Sequence, residues 1–355
     1  MIQNLVPNTS IETHVVLIAS AASKKYGKLE QYLFTDGVKV NWKIESQLDA
    51  ALKSGMVSTT ALSMIGISDY ILNNQIDGTL VIADRHETIA GAIASSYLNC
   101  KTFHLLGGET SGNIDNKVRY ANTFLSDYHF VATKESKSRL ELCGIAPELI
   151  FQTGCPSLDF LQSSNMLDIV QITEYFGGVG LSVQKLFQGR YVVVLQHAET
   201  TSDLDARLQV RSTIDAIDKL SIPALWIWPN SDTGSDEIIR EIASARESGK
   251  LKNVHFERNL DPELFISILK NSSCIIGNSS VAIRECSLLG VPAVNIGGRQ
   301  NNRERAPNVI DSDYNFEEIY ETVSMQIKNG FYKPSKIYGD GHSGQRISNL
   351  LSSLL

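Results

Sequence analysis

Acids, arginines and a histidine fall directly after apolar runs at several places in this 355-residue chain. In "IADRHETIAG" (82–91), Asp84 and Arg85 follow one run. In "HLLGGETSGNIDNKVR" (104–119), Glu109 and Asp115 follow the next, six residues apart and beside paired glycines that let backbone approach a ligand. Asp115, Arg119 and Asn122 recur at helical spacing on one face. Carboxylates converging on one site perturb one another's ionisation, which suits general acid/base work. The plain alternative for Asp115 is an acid favoured by a helix start. In "LQHAETTSD" (195–203), His197 ends a further run. A histidine there can carry positive charge or donate to an oxyanion, or serve only structure.

Two later stretches suit an anion. In "GNSSVAIRECSLLG" (277–290), Asn278, Ser279 and Ser280 open a helix whose free N–H groups and dipole favour negative charge. Glu285, seven residues beyond Asn278, shares its face roughly 10 Å along the axis, a span from diphosphate to sugar hydroxyls. A well-capped helix with a solvent-facing acid is the alternative. In "NIGGRQNNRERAPNVID" (295–311), Arg299, Arg303 and Arg305 follow a double glycine. Arginine is the preferred partner of phosphate, though a solvated loop with structural ion pairs would read the same way.

These residues need a scaffold that presents strand ends. The runs "HVVLIASA" (14–21), "TLVIA" (79–83), "KTFHLL" (101–106) and "HFVAT" (129–133) read as buried parallel strands with amphipathic helices between them. After an irregular stretch, 161–190, the alternation restarts with "YVVVLQ" (191–196), "PALWIWP" (223–229), "NVHFE" (253–257), "SCIIG" (273–277) and "PAVNIG" (292–297). The expected fold is therefore α/β, two Rossmann-like domains facing a cleft. The expected boundaries are 1–165 for an N-terminal Rossmann-like domain and 166–340 for a C-terminal one. A last helix within 341–355 is expected to return to the first domain.

Composition narrows the partners. Charged residues make up 20% and hydrophobic ones 43%, as in a soluble globular protein, and the formal net charge is −7. No Lys/Arg block interleaves with aromatics, so nucleic acid is not an expected partner. No apolar run reaches membrane-spanning length, and the first residues lack the basic and apolar regions of a signal peptide. The five cysteines are odd in number and without a C-x-x-C pair, which reads as reduced thiols in a cytoplasmic protein.

Taken in order, "ADRHE", "GGETSGNIDNKVRYANTFLSDYHFVAT", "TGCPSLD", "LQH", "PNSDTGSD", "GNSSVAIRE" and "VNIGGRQNNRERAPNVID" resemble the hydrolysing branch of the UDP-N-acetylglucosamine 2-epimerase family over roughly residues 80–311. The resemblance implies a glycosyltransferase-B-like fold and a nucleotide-sugar substrate, with a UDP-sugar favoured. It implies elimination of UDP to a glycal followed by hydration, giving an N-acetylmannosamine-type sugar for nonulosonic acid or surface-glycan synthesis. No metal or redox cofactor is implied. By the same resemblance Asp84 and Asp115 are catalytic carboxylates, and Arg85 and His197 stabilise the diphosphate. Asn230, Asn278, Ser279, Ser280, Glu285 and Arg299 form the nucleotide set, and Arg119 supports the sugar side.

The chain departs from the family at several positions. Leu106 stands where many hydrolysing members have a glutamate before the double glycine, and Glu109 can substitute only if the loop turns it inward. In "ASKKYG" (22–27) Tyr26 and Gly27 match the family's first loop, while Ser23 and Lys25 replace an arginine and an acid. Ala83 and His86 replace a common glycine and phenylalanine. A glycosyltransferase on the same scaffold, or a nucleotide-sugar-binding protein without turnover, stays open at this point, as does a homo-oligomer.

Overall fold

The computed structural model describes residues 2–23, 29–48, 54–82, 85–110, 115–163, 165–176, 186–187, 189–199, 202–229, 234–258 and 260–355. Asp84, Asn230 and the first-loop residues Lys25, Tyr26 and Gly27 lie outside them, as does the Asp115 side chain. The chain divides into two compact units. Among the described residues, one unit holds those up to Asp159 together with Gly339–Leu355, and the other holds Phe160–Tyr338.

The first unit carries strands β1 (Val16–Ile18), β2 (Trp42–Ile44), β3 (Gly78–Ile82), β4 (Lys101–Leu105), β5 (Tyr128–Val131) and β6 (Ile150–Gln152). All pair in parallel, as β1-β2 and as β3-β4-β5-β6. The run at 14–21 is a strand only to Ile18, because Ala19 takes a left-handed φ of 48° and starts a short helix. Side chains alternate across the four-stranded sheet. Phe103 stacks on Tyr128 and Phe130, with ring centres 5.3 and 5.9 Å apart, which gives an aromatic ladder on one face. The opposite face of β4 carries His104, which pairs in register with His129 on β5 and meets the Thr123 hydroxyl at 3.2 Å.

His129 is 1% exposed. Burial lowers its pKa from 6.5 to about 4, against a smaller opposing pull from Asp127. The folded state thus holds the neutral ring where the unfolded chain binds a proton. Stability is full above about pH 6.5 and falls as pH drops through about 4, by about 3 kcal/mol in all. Urea unfolding from pH 8 to pH 4 should show this slope in the wild type and a shallower one in His129→Gln; equal slopes would contradict the assignment.

The C-terminal helix Ser343–Leu354 belongs to the first unit. Its opening N–H groups at Ser343 and Gly344 donate to the Asp159 carboxylate at 2.8 and 2.6 Å, a cap supplied from 184 residues away in sequence. Asn8 donates to the Ser348 and Ser352 hydroxyls at 2.8 and 2.7 Å, which ties both chain ends together.

The second unit carries β7 (Val192–Leu195), β8 (Ala224–Ile227), β9 (Val254–Glu257), β10 (Cys274–Gly277), β11 (Ala293–Ile296) and β12 (Val309–Ser312). They form one parallel sheet in the order β9-β8-β7-β10-β11-β12, which is the Rossmann order. Val192, Val194, Trp226, Ile276 and Val294 pack against Val210, Ile214, Ile238, Ile242 and Val323 of the covering helices. Val193 and Ile275, pointing the other way, are 0% and 1% exposed, so both faces are covered, as continuous apolar strands require. Cys100, Cys155, Cys274 and Cys286 are buried free thiols, and Cys143 is half-buried. No helix among the described residues is long and apolar enough to cross a membrane.

Candidate functional site

In the second unit the strand order reverses between β7 and β10, which opens a crevice beyond their carboxyl ends where ligands bind in such sheets. His197 and Asn278 stand there, each just past its strand. Asn278 is fully buried, and its side-chain amide pairs with the backbone of His197 at both ends. Oδ1 accepts from the His197 N–H at 2.8 Å and Nδ2 donates to the His197 carbonyl at 2.9 Å. Gly277 makes this close approach possible, because a Cβ there would lie 2.1 Å from the Leu195 carbonyl oxygen.

The glycine loop after β11 closes over the same strand end. Gln300 Nε2 and Arg299 Nη1 donate to the Asn278 carbonyl at 2.8 and 3.3 Å. Arg305 is engaged elsewhere: it grips the Asp311 carboxylate through Nε and Nη2, and donates from Nη1 to the Gln300 and Arg303 carbonyls. The arginine cluster read from sequence therefore splits, with Arg299 at the switch point and Arg305 bracing its loop.

Ser279 caps the helix after β10, its hydroxyl accepting from the Val281 N–H. That helix is not the single rod expected between Asn278 and Glu285. It runs Ser280–Ile283, breaks at Arg284, and resumes at Glu285–Leu289. The Ser287 hydroxyl bonds back to the Ile283 carbonyl across the break, the kind of contact that bends helices. Ser280 and Glu285 are both half-buried here.

Glu199, Gln300 and Tyr314 were not singled out by sequence reasoning. Glu199 Oε2 accepts from the Gly298 N–H at 2.8 Å and from the Tyr314 hydroxyl at 2.7 Å. Burial and then the Glu199 carboxylate push the Tyr314 hydroxyl well above its ordinary pKa, so it stays protonated and donates. The available signal was a carboxylate two residues past the strand-end histidine.

In the first unit the loop after β3 is held from within. Glu87, with its side chain 7% exposed, accepts from Arg85 Nε at 2.8 Å through one oxygen and meets His86 Nδ1 at 3.0 Å through the other. Thr88 donates to the Arg85 carbonyl at 2.7 Å and accepts from Asn122 at 2.8 Å. Sequence reading missed Glu87, although it closes the quoted "DRHE". Arg119 and Asn122, on the helix Asp115–Leu125, are 1% and 0% exposed, so this polar helical face looks inward. Arg119 Nη1 donates to the Glu109 carbonyl at 2.9 Å.

Leu106 is buried, with a left-handed φ of 64°, and its N–H donates to the Phe130 carbonyl at 2.8 Å. Gly108, at φ 74°, follows, and a Cβ there would meet the Ser136 carbonyl at 2.3 Å. This turn buries Glu109 to 3% exposure, giving the loop a carboxylate inside the unit, while the Leu106 position offers only hydrocarbon. Among the described residues, no group of three or more His, Cys, Asp or Glu side chains could hold a metal ion.

Two Rossmann-like units, with polar side chains gathered at strand ends, define a glycosyltransferase-B-like α/β protein. Residues 3–352 match the family described as UDP-N-acetylglucosamine 2-epimerase, and the chain belongs to that family of enzymes. It is 31% identical, over 100% of its own length and 91% of the relative's, to the UDP-N,N'-diacetylbacillosamine 2-epimerase (hydrolyzing) of Legionella pneumophila. It is 26% identical to the UDP-N-acetylglucosamine 2-epimerase of Neisseria meningitidis, over 93% of this chain and 84% of that one. In fold it is similar to the Methanocaldococcus jannaschii UDP-GlcNAc 2-epimerase solved with UDP-GlcNAc and UDP, at a TM-score of 0.79 and 19% identity, covering 99% of this chain and 95% of that one.

Proposed function

We propose that the chain is a hydrolysing nucleotide-sugar 2-epimerase. Its substrate is UDP-N-acetylglucosamine or a relative with a second acetamido group, and its products are UDP and the free 2-epimer, an N-acetylmannosamine-type sugar for nonulosonic acid or surface-glycan synthesis. The observation that carries this reading is the full-length likeness to an enzyme named for that hydrolysing reaction on a diacetamido sugar.

The chemistry fits the residues. A base removes the proton at C2, the C1–O bond breaks with its electrons going to the diphosphate, and a C1–C2 double bond forms. Water then adds oxygen to C1, and a proton returns to C2 from the opposite face. The C2 proton is only weakly acidic, so the departing diphosphate needs preorganised positive charge and N–H donors. In this reading Arg85, His197 and Arg299 supply them. Ser279, Ser280, Glu285 and Asn230 hold the nucleotide. Asp84, Glu109 and Asp115 carry the protons, with buried Glu109 acting where Leu106 cannot. Asn278 and Arg119 are buried against backbone partners, and we assign them to positioning His197 and the Glu109 loop.

Incubation with UDP-N-acetylglucosamine, UDP-N,N'-diacetylbacillosamine and related nucleotide sugars should release UDP and the 2-epimerised free sugar with no acceptor added. Acceptor-dependent release would instead favour a glycosyltransferase, and no turnover across the panel overturns the proposal.

A further inference from the structure

The loop that carries Arg299 has little intrinsic rigidity. It enters through Gly297, at φ 73°, and Gly298, and paired glycines leave the backbone many conformations unless other groups restrict them. The restriction comes from Glu199 and Tyr314. The Tyr314 ring fills the space a side chain on Gly297 would need, since a Cβ there would lie 2.3 Å from Cζ and 2.4 Å from the hydroxyl. That hydroxyl and the Gly298 N–H converge on the same oxygen, Glu199 Oε2. Glu199 is two residues beyond His197, and Gly298 is one residue before Arg299. A single carboxylate oxygen therefore joins the strand-end loop after β7 to the loop after β11. Asn278 makes a second join, to the His197 backbone on one side and to Arg299 and Gln300 on the other.

The geometry points to Glu199 as a positioning residue that, together with Tyr314, holds the Arg299 loop in place beside His197 for a nucleoside diphosphate. This rests on the nucleotide-sugar reading above and extends it to a residue without expected contact to the ligand. The contact pattern separates shape from charge. Both donors meet Oε2, so a glutamine placing its carbonyl oxygen there accepts both bonds and loses only the charge. Alanine leaves the Gly298 N–H and the Tyr314 hydroxyl without their acceptor.

The test is calorimetric titration of UDP into the full chain, with thermal unfolding measured alongside. Glu199→Ala should weaken UDP binding about tenfold or more, because a displaced arginine loses its aligned contact. Glu199→Gln should restore binding to within about twofold, and Tyr314→Phe, which keeps the Gly298 bond, should fall between. In an Arg299→Ala background, Glu199→Ala should add less than about twofold, since the effect is routed through Arg299. An equal factor in both backgrounds, or unchanged binding in Glu199→Ala, overturns the inference and leaves the functional reading intact. If Glu199→Ala does not fold, unchanged UDP binding by Tyr314→Phe overturns it instead. A wild-type protein that binds no UDP overturns the functional reading and this inference with it.

Discussion

Asp84→Asn should lower kcat by on the order of a thousandfold and leave KM within about twofold. Asp84 follows β3 by two residues in "ADRHE", directly before Arg85, whose guanidinium the buried Glu87 holds at 2.8 Å. In the proposed reaction this carboxylate takes or gives a proton only while bonds at C1 and C2 are changing. Asparagine keeps its size and polarity but transfers no proton, so the loss belongs to the transition state and not to ground-state binding. Initial-rate kinetics on the best substrate of the panel decide the matter. A variant keeping more than about a tenth of the wild-type kcat would remove Asp84 from the proton-transfer set.

Gly277→Ala should cost about 3–5 kcal/mol and lower the unfolding temperature by about 10–15 °C. Gly277 ends β10 at φ 137°, where an L side chain is strained, and it faces Leu195 of β7 in register. The new Cβ would lie 2.1 Å from the Leu195 carbonyl oxygen and 2.5 Å from its carbon, two backbone atoms at the centre of the sheet. The Asn278 N–H donates to that same carbonyl at 3.2 Å, so the collision also displaces the residue that holds His197. Thermal unfolding checks the stability loss, and UDP titration checks the accompanying loss of binding. Gly189, with nothing within 4 Å of its missing Cβ, is the control, and Gly189→Ala should leave stability nearly unchanged. Equal effects at the two glycines would contradict the account.

The parallel strands were legible where short, mostly apolar runs stood between helical patterns, as in "YVVVLQ" and "SCIIG". Three strands were not. β2 is three residues long with Trp42 and Lys43 exposed, β6 is three residues following a turn, and β12 lies at a sheet edge with Asp311 turned outward. Short or edge strands bury too little to leave a continuous apolar run. Strand-end position picked out His197, Asn278 and Arg299, because switch-point geometry follows from alternation alone. Glu87, Glu199 and Tyr314 escaped because what they hold is other side chains and backbone. Glu199 and Tyr314 are 115 residues apart in sequence, and no spacing rule joins them. Leu106 was visible as a departure, but its left-handed turn, and the burial of Glu109 that follows, required the fold.

The central claim is that UDP leaves by elimination and water adds to the resulting double bond. Turnover of the best nucleotide sugar in D2O enriched with oxygen-18 tests it in one reaction. The free sugar should carry deuterium at C2 by proton NMR, and the released UDP should contain no oxygen-18 by phosphorus NMR, because the C1–O bond is the one that breaks. A product that keeps its original hydrogen at C2, or UDP labelled on its terminal phosphate, would contradict the account.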